Sequence, residues 1–305
     1  IETLAAHIQS MNVLNKLIVA ALPAVPKPVI RQFANRYIAG EEIQDAVRVV
    51  NELNTQGAMA TLDVLGEDIH HRDEAIASRN KILELLDAIT RQHLKANVSI
   101  KLTQLGLKLD RQFCLDNTRA IVRQAQEVNN FIRIDMEDSS CTDQTIWVYR
   151  ELRKEYWNVG IVLQAYLRRT MDDARALIND GLNNFRLCKG IYIEPEEIAF
   201  KSHVEVNQNF IDVVQYMLSH KAYVGIATHD TELITKASEI IRNMKLQPAE
   251  YEFQMLLGVR PELRAKILRD GHRVRIYVPF GKQWYQYSIR RFKENPQIVN
   301  DQNCF

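Results

Sequence analysis

From Ala58 onward the chain alternates eight times between short segments rich in β-branched and aromatic residues and longer amphipathic stretches, and no other feature narrows its possible folds so much. The strand candidates are Ala60–Leu65, Val98–Thr103, Phe131–Met136, Gly160–Ala165, Asn184–Leu187, Tyr223–Ala227, Tyr251–Leu256 and Val274–Val278. Helical spacing of apolar residues marks Glu74–His93, Arg111–Asn129, Thr142–Tyr156, Met171–Asp180, Gln208–His220, Glu232–Met244, Arg260–Arg269 and a last stretch from Gln283 to Glu294. Parallel neighbours need a crossover of about a dozen residues or more, usually a helix, so strict alternation predicts a parallel sheet. Eight units in roughly 240 residues suit an α/β (βα)₈ barrel, with a doubly wound open sheet as the competing architecture.

The glycines separate the two. A doubly wound nucleotide site wants GxGxxG at its first strand-to-helix turn. The 11 glycines here are dispersed, and no two are separated by a single residue. Any dinucleotide must therefore be held in another way. Residues 1–57 read as a helical arm and residues 58–305 as the barrel. Within the arm, helical spacing around Leu14 to Ala21 is broken by Pro23, Pro26 and Pro28, and further helices are expected at Ile30–Ile38 and Glu41–Leu53.

Composition excludes some classes of function. A formal net charge of +1 gives no electrostatic reason to expect a nucleic-acid partner. Cys114, Cys141, Cys188 and Cys304 are scattered without a CxxC, which predicts reduced thiols, no zinc site and a cytoplasmic location. His70 and His71 are adjacent, a poor spacing for binding one metal, and no metal site is expected. No apolar run reaches the ~20 residues of a membrane-spanning helix.

In a (βα)₈ barrel the active site lies at the C-terminal ends of the strands. The first strand candidate ends in Leu65-Gly66-Glu67-Asp68; the second carries Lys101, the third Asp135 and Glu137, the fourth Gln164. The fifth contains Arg186 and Lys189, the sixth Thr228 and His229, the seventh Gln254 and the eighth Tyr277. Charges in a barrel mouth are expensive unless paired or functional, and a full ring of them points to function. The last helix adds Arg290-Arg291 amid Trp284, Tyr285, Tyr287 and Phe292, so its aromatic surface must pack somewhere. Adjacent helical residues point about 100° apart, so both arginines reach one ligand only if this helix lies across a pocket. Their planar forks suit a carboxylate. The residues alone thus describe a barrel mouth able to hold an anionic substrate and an anionic cofactor. A Schiff-base aldolase using Lys101 or Lys189, and a non-catalytic barrel that binds a small anion, remain open on these grounds.

Phe185-Arg186-Leu187-Cys188-Lys189-Gly190-Ile191-Tyr192 resembles a signature of the proline dehydrogenases, including the catalytic barrel of the proline utilisation A proteins. Leu62–Glu67, Ser99–Leu102, Ile134–Glu137, Ala227–His229, Phe253–Leu256, Arg275–Pro279 and Arg290–Asn295 resemble further blocks of that family in the same order. The short chain resembles the monofunctional bacterial enzymes. The resemblance implies a distorted barrel whose last helix sits above the strand ends, and FAD-dependent oxidation of L-proline to Δ1-pyrroline-5-carboxylate, with electrons passed to a quinone and peripheral contact with a membrane. It further implies that Arg290, Arg291 and Lys101 hold the proline carboxylate, while Tyr277, Leu256 and Tyr192 wall the ring. Arg186 would lie beside the flavin N5. Gln164, Lys189, Gly190, Ile191, Thr228, His229 and Glu294 would hold other parts of FAD. Asp135 would support the network through Tyr277, and Glu67 would pair with Arg290. Two residues depart from the family pattern: Cys188, expected to be a small buried hydrophobe, and Ile191, whose bulk is expected to narrow the site.

Overall fold

The computed structural model describes residues 27–66 and 69–294, without the side chains of residues 28, 29, 32, 33 and 290–294. Eight strands close into a barrel in chain order, and every neighbouring pair is parallel. They are β1 (Met59–Val64), β2 (Ala96–Ile100), β3 (Ile132–Ile134), β4 (Val159–Gln164), β5 (Asn184–Cys188), β6 (Tyr223–Ala227), β7 (Tyr251–Leu256) and β8 (Val274–Phe280). Helices α1 (Lys27–Ala34) and α2 (Ile43–Thr55) precede them. The crossovers carry α3 (Arg72–Arg91), α4 (Arg111–Glu127), α5 (Thr142–Arg153), α6 (Thr170–Asn179), α7 (His203–Ser219), α8 (Thr231–Asn243) and α9 (Pro261–Arg269), and α10 (Trp284–Glu294) follows β8.

Side chains of a strand alternate between its two faces, and here the two faces differ in chemistry. Leu62, Val98, Ile100, Ile132, Ile134, Ile161, Phe185, Leu187, Val224, Ile226, Phe253, Ile276 and Val278 are buried in one continuous apolar core that also takes in the helices. The alternate residues turn inward and are largely polar: Thr61 and Asp63, Ser99 and Lys101, Arg133 and Asp135, Gln164, Arg186, Glu252 and Gln254, Arg275 and Tyr277. Barrel interiors of this class are usually filled by branched apolar side chains. A buried charge must instead find a partner. Near the N-terminal end of the barrel, Arg275 donates Nε and Nη2 to Glu252 at 2.7 and 3.0 Å. Arg133 donates Nη1 to the carbonyls of Ile161 and Asn184 and Nη2 to Asn184 Oδ1, at 3.1, 3.0 and 2.6 Å. Its burial, with the like charge of Arg186 nearby, pulls the guanidinium pKa down to about 10.

The end of the barrel is set by how α2 packs. Ile43, Ala46, Val50 and Leu53 are buried in the main core, and the helix lies against both β1 and β8. That groove is where the helix after β8 would lie in a regular barrel. With the groove filled, α10 packs instead on α1, in a separate apolar cluster of Ile30, Ala34, Tyr37, Ile38, Leu65 and Tyr287 flanked by Trp284, Tyr285 and Ile289. Leu65 directly follows β1, so this cluster brings α10 to the C-terminal rim of the barrel.

Several boundaries differ from those expected. β2 and β3 stop at Ile100 and Ile134, so Lys101 and Asp135 lie just past their strand ends. The chain leaves β2 for a short turn at Thr103–Leu105, where Thr103 donates its backbone N and hydroxyl to Glu137. Glu137 therefore fixes that turn and does not line the site. Helix α7 begins at His203, before the expected Gln208, because Ser202 caps it by accepting from Val204 N at 3.2 Å. Exposed Val204 had hidden that first turn from the amphipathic pattern. The expected helix near Leu14 lies outside the described residues, and α1 runs Lys27–Ala34 where Ile30–Ile38 was expected.

Despite burial, which pushes its pKa up, Arg275 holds the Glu252 carboxyl down at about 2, against an ordinary 4.5. A depressed carboxylate contributes stability that is fully present above its unfolded-state pKa and is lost as the pH falls through the folded one. Removing one member of a buried pair costs about 3–5 kcal/mol. Urea denaturation should therefore show wild type more stable than Glu252→Gln by about 3 kcal/mol at neutral pH. That gap should hold to about pH 5 and shrink between about 4.5 and 2. A gap independent of pH would show that the carboxylate charge is not what secures Arg275.

Candidate active site

At the C-terminal ends of the strands lies a cavity of about 390 Å³. The expected residues Lys101, Asp135, Gln164, Arg186, Lys189, Gly190, Ile191, Tyr192, Thr228, His229, Leu256 and Tyr277 all border it. Strand order explains the convergence, since most of them sit at or just past the C-terminal ends of their strands in a closed barrel, while Arg186 and Tyr277 point inward from within β5 and β8. Glu67 lies outside the described residues. Arg290, Arg291 and Glu294 are on α10, and nothing is described of their side chains.

Three ion pairs organise the polar wall: Lys101–Asp63, Arg186–Asp135 and a longer Lys101–Asp135 contact at 3.8 Å. Lys101 Nζ donates to both carboxylate oxygens of Asp63 at 2.8 Å and to Tyr277 Oη at 3.3 Å. Tyr277 Oη donates to Asp135 Oδ2 at 2.8 Å, and Arg186 Nη1 donates to Asp135 Oδ1 at 2.7 Å. Arg186 is completed by Gln254 Oε1 at 2.5 Å and Ser99 Oγ at 3.0 Å. Burial raises the pKa of Asp63 against the opposing pull of Lys101. Burial, with the negative charges of Asp135 and Asp63, pushes the Tyr277 phenol well above its ordinary value, so it works as a hydroxyl donor. Lys101 and Arg186 are thus each offset by a carboxylate, and this part of the wall carries no surplus positive charge. An anionic ligand needs further cations, and α10 is the nearby element whose sequence offers them.

The far wall is held differently. Lys189 Nζ pairs with Asp230 Oδ2 at 2.8 Å. Asp230 also caps α8 by accepting from Glu232 N, and against the upward push of partial burial Lys189, with this cap, keeps its carboxyl below the usual range. His229 Nε2 accepts from Leu256 N at 2.8 Å, tying β6 to the end of β7. Gly190 has φ +102°, and a Cβ there would fall 2.1 Å from Tyr166 Cδ1, so only glycine lets this loop pass the buried ring. The two lysines that a Schiff-base mechanism could use, Lys101 and Lys189, are both held in ion pairs.

Sequence reasoning missed Asp63 and Asp230 and gave Gln254 no role. Asp63 had a legible signal: with Thr61 it is polar at alternate positions of an otherwise apolar strand. Asp230 had another, as a helix cap directly after Thr228 and His229. Cys188 corrects the expectation of a buried hydrophobe, because it is only half-buried and borders the cavity. Ile191 also borders the cavity, with 41% of its surface exposed.

The wall also bears on whether a flavin fits. Val162, Met136, Ala227, Met255 and Leu256 give it apolar surface suited to a flat aromatic ring. Buried Gln164 Oε1 has no hydrogen-bond partner among the described residues, an acceptor that a flavin's imide N–H would satisfy. The residues present fit the group.

Comparison with known proteins agrees with this geometry. The proline dehydrogenase family model matches residues 46–303. The chain is 36% identical over 263 residues to proline dehydrogenase 1 of Bacillus subtilis, covering 86% of this chain and 87% of the relative. It is 34% identical over 291 residues to proline dehydrogenase of Deinococcus radiodurans, covering 91% and 94%. The crystal structure of proline utilization A from Bdellovibrio bacteriovorus inactivated by N-propargylglycine superposes with a TM-score of 0.81 at 24% identity. That match covers 94% of this chain but only 37% of the larger one and speaks to the fold. With a closed eight-stranded barrel, a charged cavity at its strand ends and a family match over most of its length, the chain belongs to the proline dehydrogenase family.

Proposed function

We propose that this enzyme oxidises L-proline to Δ1-pyrroline-5-carboxylate with FAD as its cofactor, in the first step of proline catabolism, and that the electrons pass on to a quinone. The observation that carries the reading is the network Asp63–Lys101–Tyr277–Asp135–Arg186, which borders a cavity that also holds, on β4 between the strands of Asp135 and Arg186, the unpartnered acceptor Gln164 Oε1. Gln164, Lys189, Gly190, Ile191, Thr228, His229 and Glu294 would hold the cofactor. When bound, the flavin supplies an acceptor for the hydride of proline C5.

The chain's own residues do the rest. Tyr277, Leu256 and Tyr192 wall the pyrrolidine ring and orient C5, and holding a reactant in a productive geometry is itself a large part of catalysis. Arg186, fixed by Asp135 and Gln254, offsets negative charge that gathers on the acceptor during the reaction. Because Asp63 already balances Lys101, the substrate carboxylate relies chiefly on Arg290 and Arg291 of α10, and Glu67 pairs with Arg290 as the site closes. Losing the proton of the proline nitrogen frees the lone pair that stabilises the developing iminium, and nearby cations favour that loss. Among the described residues no helix is long and apolar enough to cross a membrane. A cytoplasmic protein that meets the quinone at the membrane surface is the arrangement we propose.

Two measurements test this reading. The purified protein should carry non-covalent FAD, released by acid, whose absorption bleaches when proline is added without an electron acceptor. Protein that binds no flavin on titration, or whose flavin ignores proline, would falsify it. Replacing either Arg290 or Arg291 with Met should raise KM for proline roughly 10- to 150-fold while flavin stays bound, the loss expected for one charge-assisted hydrogen bond. Wild-type kinetics in both variants would remove α10 from the substrate site.

A further inference from the structure

The residues that hold Arg186 continue away from the cavity. Gln254 accepts from Arg186 Nε at 2.5 Å and donates its own Nε2 to Glu252 Oε1 at 2.6 Å. Glu252 is 2% exposed, lies two residues earlier on β7 and faces the N-terminal end of the barrel, away from the cavity wall. Its carboxylate is fixed in turn by the paired donors of Arg275. A side-chain amide has one donor end and one acceptor end, whereas an ionised carboxylate only accepts. Glu252 therefore selects one orientation of the Gln254 amide, nitrogen toward itself and oxygen toward Arg186. Reversed, the amide would set its NH₂ group against the guanidinium, donor against donor. Space enforces the same placement from the other side. On the neighbouring strand Gly225 pairs in register with Glu252, and a Cβ at Gly225 would come within 2.4 Å of Gln254 Nε2.

We propose that Glu252 is a positioning residue for the active cavity: by fixing the Gln254 amide it fixes the plane in which Arg186 presents its guanidinium to the site. The kinetic consequence rests on the functional reading given above, while the orientation does not.

The Arg186 Nε–H resonance in ¹H–¹⁵N spectra of the purified protein, assigned by its loss in Arg186→Lys, reports the contact directly. In wild type it should lie downfield and exchange slowly with solvent. In Glu252→Gln it should move upfield, and kcat for proline should fall about tenfold with KM changed less than about threefold, as expected when a group tuned for the transition state is disturbed. Gly225→Ala leaves the Glu252–Arg275 pair intact and displaces only the amide, so it should reproduce both changes even where Glu252→Gln folds poorly. In the Arg186→Lys background neither substitution should lower kcat further, because all act through one group. An unmoved resonance in both variants overturns the proposal. So does a moved resonance with wild-type kcat, or a loss of kcat that persists in full when Arg186 is already replaced. If wild type does not oxidise proline at all, the functional reading fails, and the resonance alone decides the orientation.

Discussion

A barrel whose lumen is charged must give each charge hydrogen-bonding partners inside it, and the architecture of this protein follows from that constraint. Transferring an unpaired ion from water into a protein interior costs several kcal/mol even after relaxation. The inward positions meet that cost by linking across the barrel: Arg275 to Glu252, Gln254 to both Glu252 and Arg186, Arg186 to Asp135, Asp135 to Tyr277, Tyr277 to Lys101, and Lys101 to Asp63. The outward face of the same strands stays apolar and binds the helices. One set of strands thus builds a hydrophobic shell and a polar axle together, which is why these parallel strands alternate in chemistry instead of reading as unbroken apolar runs.

The axle also shapes the chemistry of the mouth. Within the wall that is described, Lys101 and Arg186 are each balanced by a carboxylate, so neither is a loose cation waiting for an anion. The hydrogen bonds fix their direction and leave the balance of charge to whatever covers the cavity. That cover depends on α2 occupying the groove between β1 and β8, which diverts α10 to the rim and onto α1. A helix that precedes the barrel in sequence therefore decides where the last helix goes.

The sequence made the barrel legible because its signal is local. Periodicity switching between two and 3.6 residues marks each element without reference to any other. The ring of residues at the strand ends was legible for the same reason, since position along a strand decides which end of the barrel a side chain occupies. Boundaries failed where a local interaction competed with the pattern, as at Glu137, which takes the Thr103 donors, and at Ser202, which caps a helix that opens on an exposed valine. Glu137 stands at a strand end as Asp135 does, and only its partner shows that it stabilises a turn.

By itself the sequence determined the fold class, the end of the barrel that carries the charged cavity, and most of the side chains that border it. Tertiary structure alone decided which charge meets which. Asp63 and Lys101 are 38 residues apart, and Tyr277 lies 142 residues from Asp135. Closing the sheet brings β8 against β1 and sets Tyr277 two positions from Asp63 in register. Local patterning encodes the direction of a side chain, but the distance between two inward-facing groups exists only once the barrel has closed.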